Sequence, residues 1–154
     1  MSVTDYERKR SIEAYKYVVD GKNIINLYEI GGEFYKDDNY KSYVKKIPMM
    51  ILNNGSGATF AFIYSKGQKY SKKKNKKAGE KENPKDAYDL ISYQIDDWFK
   101  NHSFIQKKSD NDLVEWIINL DSSEYRAVTN EVLALFNWLK RFADGMIEGE
   151  DNDS

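Results

Sequence analysis

The chain has one histidine, His102, and no cysteine with which to do nucleophilic, acid–base or metal chemistry. Cysteine-ligated zinc and iron–sulfur sites are therefore excluded, as are disulfides. His102 falls at the end of a helical pattern, and no His/Asp/Glu cluster has metal-ligand spacing, so it reads as a surface or capping residue. The acidic pairs Asp37-Asp38 and Asp96-Asp97 put neighbouring side chains about 100° apart on a helix, so neither pair shares one face as a two-carboxylate site would. Asn54-Gly55-Ser56-Gly57 has the glycines of a phosphate loop, but no Lys-Ser or Lys-Thr pair follows and the Walker signature is absent. Ser56 also lacks the strand–turn–helix setting of a hydrolase nucleophile. These residues predict a protein that is not an enzyme, with no catalytic residue, metal or cofactor.

Charge is the stronger signal. The formal net charge is −1, yet residues 66–81 hold eight lysines and one acid, Glu80, which leaves −8 on the rest of the chain. Lys69, Lys72, Lys73, Lys74, Lys76 and Lys77 form the centre of this run. They suit either a solvated basic loop or nonspecific attraction to an RNA backbone, since lysine neutralises phosphate without reading sequence. Tyr64 and Tyr70 flank the run and could stack on bases. No RNA-recognition or zinc-finger pattern accompanies them. A small domain with such a patch suits one part of a larger assembly better than a self-sufficient nucleic-acid module.

The elements that must position these groups read as helices. Thr4 and Glu7 have capping-box spacing at the start of the first helix. Ala14, Val18, Ile25 and Tyr28 follow on one face, with Ser11 and Gly21 as small residues that permit close helix approach. Gly31-Gly32 ends the segment. A second helix begins near Asp38 with Tyr40, Tyr43, Val44 and Ile47 inward, and Pro48 predicts a kink or a restart. Asn53 to Gly57 is a break, in which at least one of Gly55 and Gly57 occupies a backbone position that a side chain would obstruct. Ala58 to Tyr64 has strand propensity but no hairpin partner, so helix is the better reading.

Residues 67–82 predict a flexible basic loop. Asn83-Pro84 with Asp86 starts a helix to Lys100, with Ala87, Tyr88, Ile91, Ile95 and Trp98 inward. Asp110 is placed to cap a short helix carrying Leu113, Trp116, Ile117 and Leu120, and Asp121 with Glu124 forms another capping box. In the last helix Tyr125, Val128, Val132, Leu135, Leu139, Phe142 and Met146 recur at alternating intervals of three and four, and Phe136, Trp138 and Ala143 widen that face as in the centre of a bundle. Leu133 interrupts the opposite polar stripe. Glu131 falls inside the apolar arc. It is either a flank position that reaches solvent or the partner of a lysine or arginine on another helix, with a catalytic acid the weakest option.

A length of 154 residues suits a single domain able to bury a core. The expected fold is all-α, a compact bundle of about five to six helices with an acidic tail over 148–154. No stretch reaches membrane-spanning length and no signal core opens the chain, so a cytoplasmic protein is expected.

Two stretches resemble a known family. EYRAVTNEVLALFNWLKRFADGM, Glu124 to Met146, is similar to the last helix of the small helical subunit of type III-B CRISPR effector (Cmr) complexes. YVKKIPMMILNNGSGATFAF, Tyr43 to Phe62, shows that family's basic pair, Pro-Met and Asn-Gly-x-Gly features, with Ser56 where the family often has a larger apolar residue. The resemblance implies a non-catalytic helical subunit that stacks with further copies of itself into an inner filament. It would lie beside other subunits of the complex and help hold the guide RNA–target RNA duplex in antiviral defence. It implies RNA or subunit contact for Lys45, Lys46, Lys140 and Arg141; the residue pattern itself gives Glu131, Trp138, Gly55 and Gly57 structural parts. The alternative is a structural adaptor without direct RNA contact. The lysine-rich loop has no counterpart from which a role could be carried over.

Overall fold

A computed structural model of the chain describes residues 3–27, 39–67 and 87–147. Within them the chain folds into six α-helices and a π-helical turn: α1 Val3–Leu27, α2 Tyr40–Asn54, α3 Ser56–Gly67, α4 Ala87–Asp97, the π-helical turn Trp98–His102, α5 Leu113–Ile118 and α6 Ser122–Met146. The lysine-rich loop, the acidic tail, the Gly31-Gly32 stop, the Asn83-Pro84 start and the side chains of Ile25 and Tyr28 lie outside the described residues.

α6 is the axis of the bundle. Val128, Val132, Leu135, Phe136, Leu139 and Ala143 are buried along its apolar face, as the intervals of three and four require. α1 packs along one side through Ala14 and Val18, both fully buried. α2 packs along another through Val44, Ile47 and Ile51. α4 closes the core with Leu90, Ile91 and Ile95. The result is an all-α bundle around a single hydrophobic core, with no sheet among the described residues.

Local chemistry explains the boundaries. Gly55 separates α2 from α3 at φ +88° and ψ 161°, a region open essentially to glycine alone. Gly57 answers a different demand: its N–H donates to the Tyr125 hydroxyl at 2.7 Å, and an added Cβ would stand 3.3 Å from that oxygen. The stretch after it is helix. An α-helix pairs its own backbone groups, which a strand without a neighbour cannot do. Gly21 lets the buried Tyr40 ring lie against the α1 backbone, where a Cβ would collide with it. Tyr40 donates to Gln94 Oε1 at 2.7 Å and Gln94 Nε2 donates to the Tyr17 carbonyl at 2.8 Å, joining α2, α4 and α1 inside the core. Burial pushes the Tyr40 hydroxyl well above the usual tyrosine range.

Several expectations are corrected. α2 runs unbroken through Pro48, so there is no restart; burial of Ile47 and Ile51 on either side holds the helix together. α1 begins at Val3, one residue ahead of Thr4, and the Glu7 carboxylate accepts from Arg10 and Trp138. Asp112, not Asp110, precedes α5, and its side chain makes no capping bond. Asp121 does cap α6, accepting from the Glu124 N–H at 2.8 Å. That N–H holds the Asp121 carboxyl below the usual range, and the hydrogen bond between the two carboxyl groups pushes Glu124 up.

At the end of α4 the helix widens, and Ser103 N–H donates to Trp98 C=O at 2.8 Å. Both Trp98 and Phe99 of that turn are buried in the core, and the wider turn is that of a π-bulge. The following segment is held by Lys107, whose buried ammonium lies 3.0 Å from Asp96 Oδ1 and donates to the Ser109 carbonyl at 3.0 Å.

Candidate functional site

The charged residues singled out by the sequence divide into a buried knot and an exposed edge. Glu131 anchors the knot and is only 4% exposed. Its two carboxylate oxygens accept from Arg10 Nε and Nη2, each at 2.8 Å, a bidentate pairing that fixes direction as well as charge. Trp98 Nε1 donates to the same carboxylate at 3.1 Å. Arg10 also donates to Glu7 at 2.8 Å, and Glu7 accepts from Trp138 Nε1 at 2.8 Å. The chain Trp98–Glu131–Arg10–Glu7–Trp138 thus ties the π-helical turn, α6 and α1 together. The hydrogen bond to Glu131 raises the Arg10 pKa further above its ordinary value.

The flank reading of Glu131 is therefore corrected: its carboxylate does not reach solvent, because α1 and the π-helical turn close over it. Its partner is an arginine of α1. Arg10 extends the inward Ala14–Val18 stripe by one turn, and that position in the period was the available signal for it. Trp98 as a donor had no such signal.

The corner between α2 and α3 holds a smaller polar contact. Ser56 is fully buried, and its hydroxyl lies 2.7 Å from Thr129 Oγ1 of α6. Thr129 donates in turn to the Tyr125 carbonyl at 2.9 Å. A buried hydroxyl is tolerated because it is partnered. With Gly55 and Gly57, this contact fixes how the α2–α3 corner meets α6.

The exposed edge lies where α2 passes the last turns of α6. Lys45 Nζ is 3.5 Å from Asp144 Oδ1, and Ser56 meets Thr129 further along, so the α2–α3 arm runs antiparallel to α6. Asp144 lies one turn beyond both Lys140 and Arg141 on the same helix. The contact therefore brings Lys45 and Lys46 to the end of α6 that carries Lys140 and Arg141. Lys46, Lys140 and Arg141 are exposed, and among the described residues no carboxylate lies within ion-pair distance of them. Lys45 differs: its side chain is 15% exposed and engages Asp144. Asp144 as its partner had no signal in the sequence. Lys69, Lys72, Lys73, Lys74, Lys76 and Lys77 lie outside the described residues.

His102 closes the π-helical turn and faces α1, with Nε2 3.3 Å from Asp97 and 3.5 Å from Glu13. Tyr17 donates to Asp97 at 2.6 Å. Burial, then this bond, pushes the Tyr17 hydroxyl well above the usual tyrosine range. His102 is thus half-buried and partnered rather than a plain surface residue. Among the described residues no group of His, Cys, Asp and Glu could hold a metal ion, and no helix is long and apolar enough to cross a membrane.

The described residues thus form an all-helical bundle whose buried carboxylate is committed to an arginine, with cations standing outside it. Residues 6–146 match the family described as CRISPR-associated protein (Cas_Cmr5), and the chain belongs to that family. Its role is that of a non-catalytic small subunit of a CRISPR-associated Cmr complex, associated with that complex's other subunits.

Proposed function

We propose that within the Cmr complex this chain stacks with further copies of itself beside the guide–target duplex and touches the RNA backbone through Lys46, Lys140 and Arg141, with Lys45 alongside. The observation that carries this reading is the absence, among the described residues, of carboxylate partners for those three cations, whereas Lys45, Lys100 and Lys107 are engaged within the fold. Unengaged cations on rigid helices suit phosphate, which they attract without reading sequence. Lys69 to Lys77 add charge of the same sign. Specificity would then come from base pairing between guide and target, and this subunit would supply retention.

A second reading, an adaptor that contacts only neighbouring subunits, is favoured by the exposed Met49 and Leu52. They follow Lys45 along one face of α2 and offer apolar surface to a protein. One experiment separates the two. The complex is assembled with the variant Lys140→Glu/Arg141→Glu, and retention of a complementary target RNA is measured over a salt series. RNA contact predicts normal assembly, weaker retention and a salt slope reduced by about one for each phosphate that is no longer neutralised. A folded variant that fails to assemble supports the adaptor. Assembly with wild-type retention at every salt concentration removes both residues from RNA contact.

A further inference from the structure

We infer that the edge between α1 and α6 is a stacking platform for an unpaired RNA base, with Tyr15 as the ring that meets the base and Arg141 beside it for the phosphate. The inference rests on the phosphate-contact reading of Arg141.

Three observations point to it. Tyr15 is 52% exposed, yet its ring is held in place. It meets Phe142 of α6 in a T-shaped contact at 5.6 Å, Phe142 stacks on Trp138 at 5.8 Å, and Trp138 is fixed by its hydrogen bond to Glu7. A ring that is already ordered loses little freedom when a base stacks on it. The charge around the ring has the sign that RNA requires. Arg141 lies one turn beyond Trp138 on α6, and Lys22 lies two turns beyond Tyr15 on α1. Both are exposed, and among the described residues neither has a carboxylate within ion-pair distance. The Glu7 carboxylate at the same edge is committed to Arg10 and Trp138. Single-stranded nucleic acid is held in this way, base against ring and phosphate against cation. Finally, Gly145 keeps the edge open. A helical side chain covers the turn before its own position, so a longer side chain here would lie over Arg141 and Phe142. Nothing stands within 4 Å of where a Cβ would be, so no close contact in the fold requires the glycine, and in a helix it is less stable than alanine. A paired base hides both faces in the duplex. The base that meets Tyr15 is therefore one that stands out of the guide–target duplex or lies beyond its end.

The test uses the assembled complex with 2-aminopurine in place of successive adenines, first in the target RNA and then in the guide, so that either strand can report. Stacking quenches the fluorescence of this base. Tyr15→Leu keeps an apolar side chain and removes the ring. It should raise the fluorescence at the stacked position and lower retention of the target by about tenfold. The salt slope should stay that of wild type, because no phosphate contact is lost. Tyr15→Phe keeps the ring and should rescue both readings. Gly145→Leu, which covers the edge and leaves Tyr15 in place, should raise the fluorescence at the same position.

The inference is overturned if Tyr15→Leu leaves the fluorescence at every position as in wild type. It is equally overturned if the loss of retention comes with a lower salt slope, which would place it on phosphate. A folded Tyr15→Leu that fails to assemble also overturns it, because the edge would then be a contact for another subunit. Lys140→Glu/Arg141→Glu in the same series separates the stack from the phosphate contact. If that variant weakens retention while Tyr15→Leu does nothing, only the stack falls. If it leaves retention untouched, the phosphate reading falls and the stack with it. Circular dichroism of each variant excludes unfolding as the cause.

Discussion

Glu131 and Arg141 are charged residues of one helix, yet the first is closed in between α1 and the π-helical turn while the second stands in solvent. Removing a carboxylate from water is expensive, and it is tolerated at Glu131 only because Arg10 and Trp98 satisfy both of its oxygens. Arg141 and Lys140 keep their hydration and need no partner to be stable. The buried charge is therefore committed to holding helices together, and the exposed charges remain available to another molecule. Charge on a helix indicates function only after burial and partnership are known.

Cutting the knot on one side should have the largest effect on stability. Glu131→Ala leaves the Arg10 guanidinium, 13% exposed, without its main counter-charge. It should cost about 3–5 kcal/mol, read as a lower urea midpoint or melting temperature. Replacing Arg10 and Glu131 together by Met and Leu should recover much of that loss, because no charge is then stranded. Survival of Glu131→Ala at wild-type stability would show that the knot is not structural.

Leu135→Ala removes a fully buried side chain from the same helix. The expected loss is about 2–5 kcal/mol, from lost burial and a residual cavity. Next comes Gly55→Ala, which forces a side chain into a backbone region open essentially to glycine alone. A loss of roughly 1–3 kcal/mol is expected, measured by denaturant unfolding with helicity otherwise unchanged.

Asp121→Ala removes the cap of α6 and should lower the melting temperature slightly. Because the Glu124 N–H holds the Asp121 carboxyl below its usual range, the cap contributes fully above that range and loses its contribution as pH falls. Glu124, pushed up by its neighbour, works in the opposite sense and blunts the effect. The gap between wild type and Asp121→Ala should narrow only as pH falls below 3.8, the ordinary aspartate value. Smallest of all, Lys140→Glu/Arg141→Glu should shift the stability of the free protein by no more than about 0.5 kcal/mol per site. A large loss would place these residues with Glu131, inside the structural network.

The apolar face of α6, the break at Gly55 and the helix after it were legible because each depends on short-range rules. The three-and-four spacing permits one inward face. A segment without a strand partner pairs its backbone only as a helix. A pair of nearby glycines marks a backbone path that side chains obstruct. The same rules placed Ala87, Tyr88, Ile91, Ile95 and Trp98 on one inner face, and all are buried in α4 and the π-helical turn that follows it. They gave no sign of the distant Trp138, whose indole donates to the Glu7 carboxylate.

Partnership lay beyond the sequence. Periodicity put Glu131 in the apolar arc and Arg10 on the inner face of α1, but they are 121 residues apart, and nothing local says that α1 lies against α6 at the height where they meet. Lys45 and Asp144 likewise come together only because the α2–α3 arm runs antiparallel to α6. That Trp98 and Phe99 are both buried in the turn at Trp98–His102 is seen only once the neighbouring helices are in place. A helix's apolar face is set by its own repeat. Which charge meets which is set by the packing of separate helices, and that packing decided which charges are buried within the fold and which stand free for a partner.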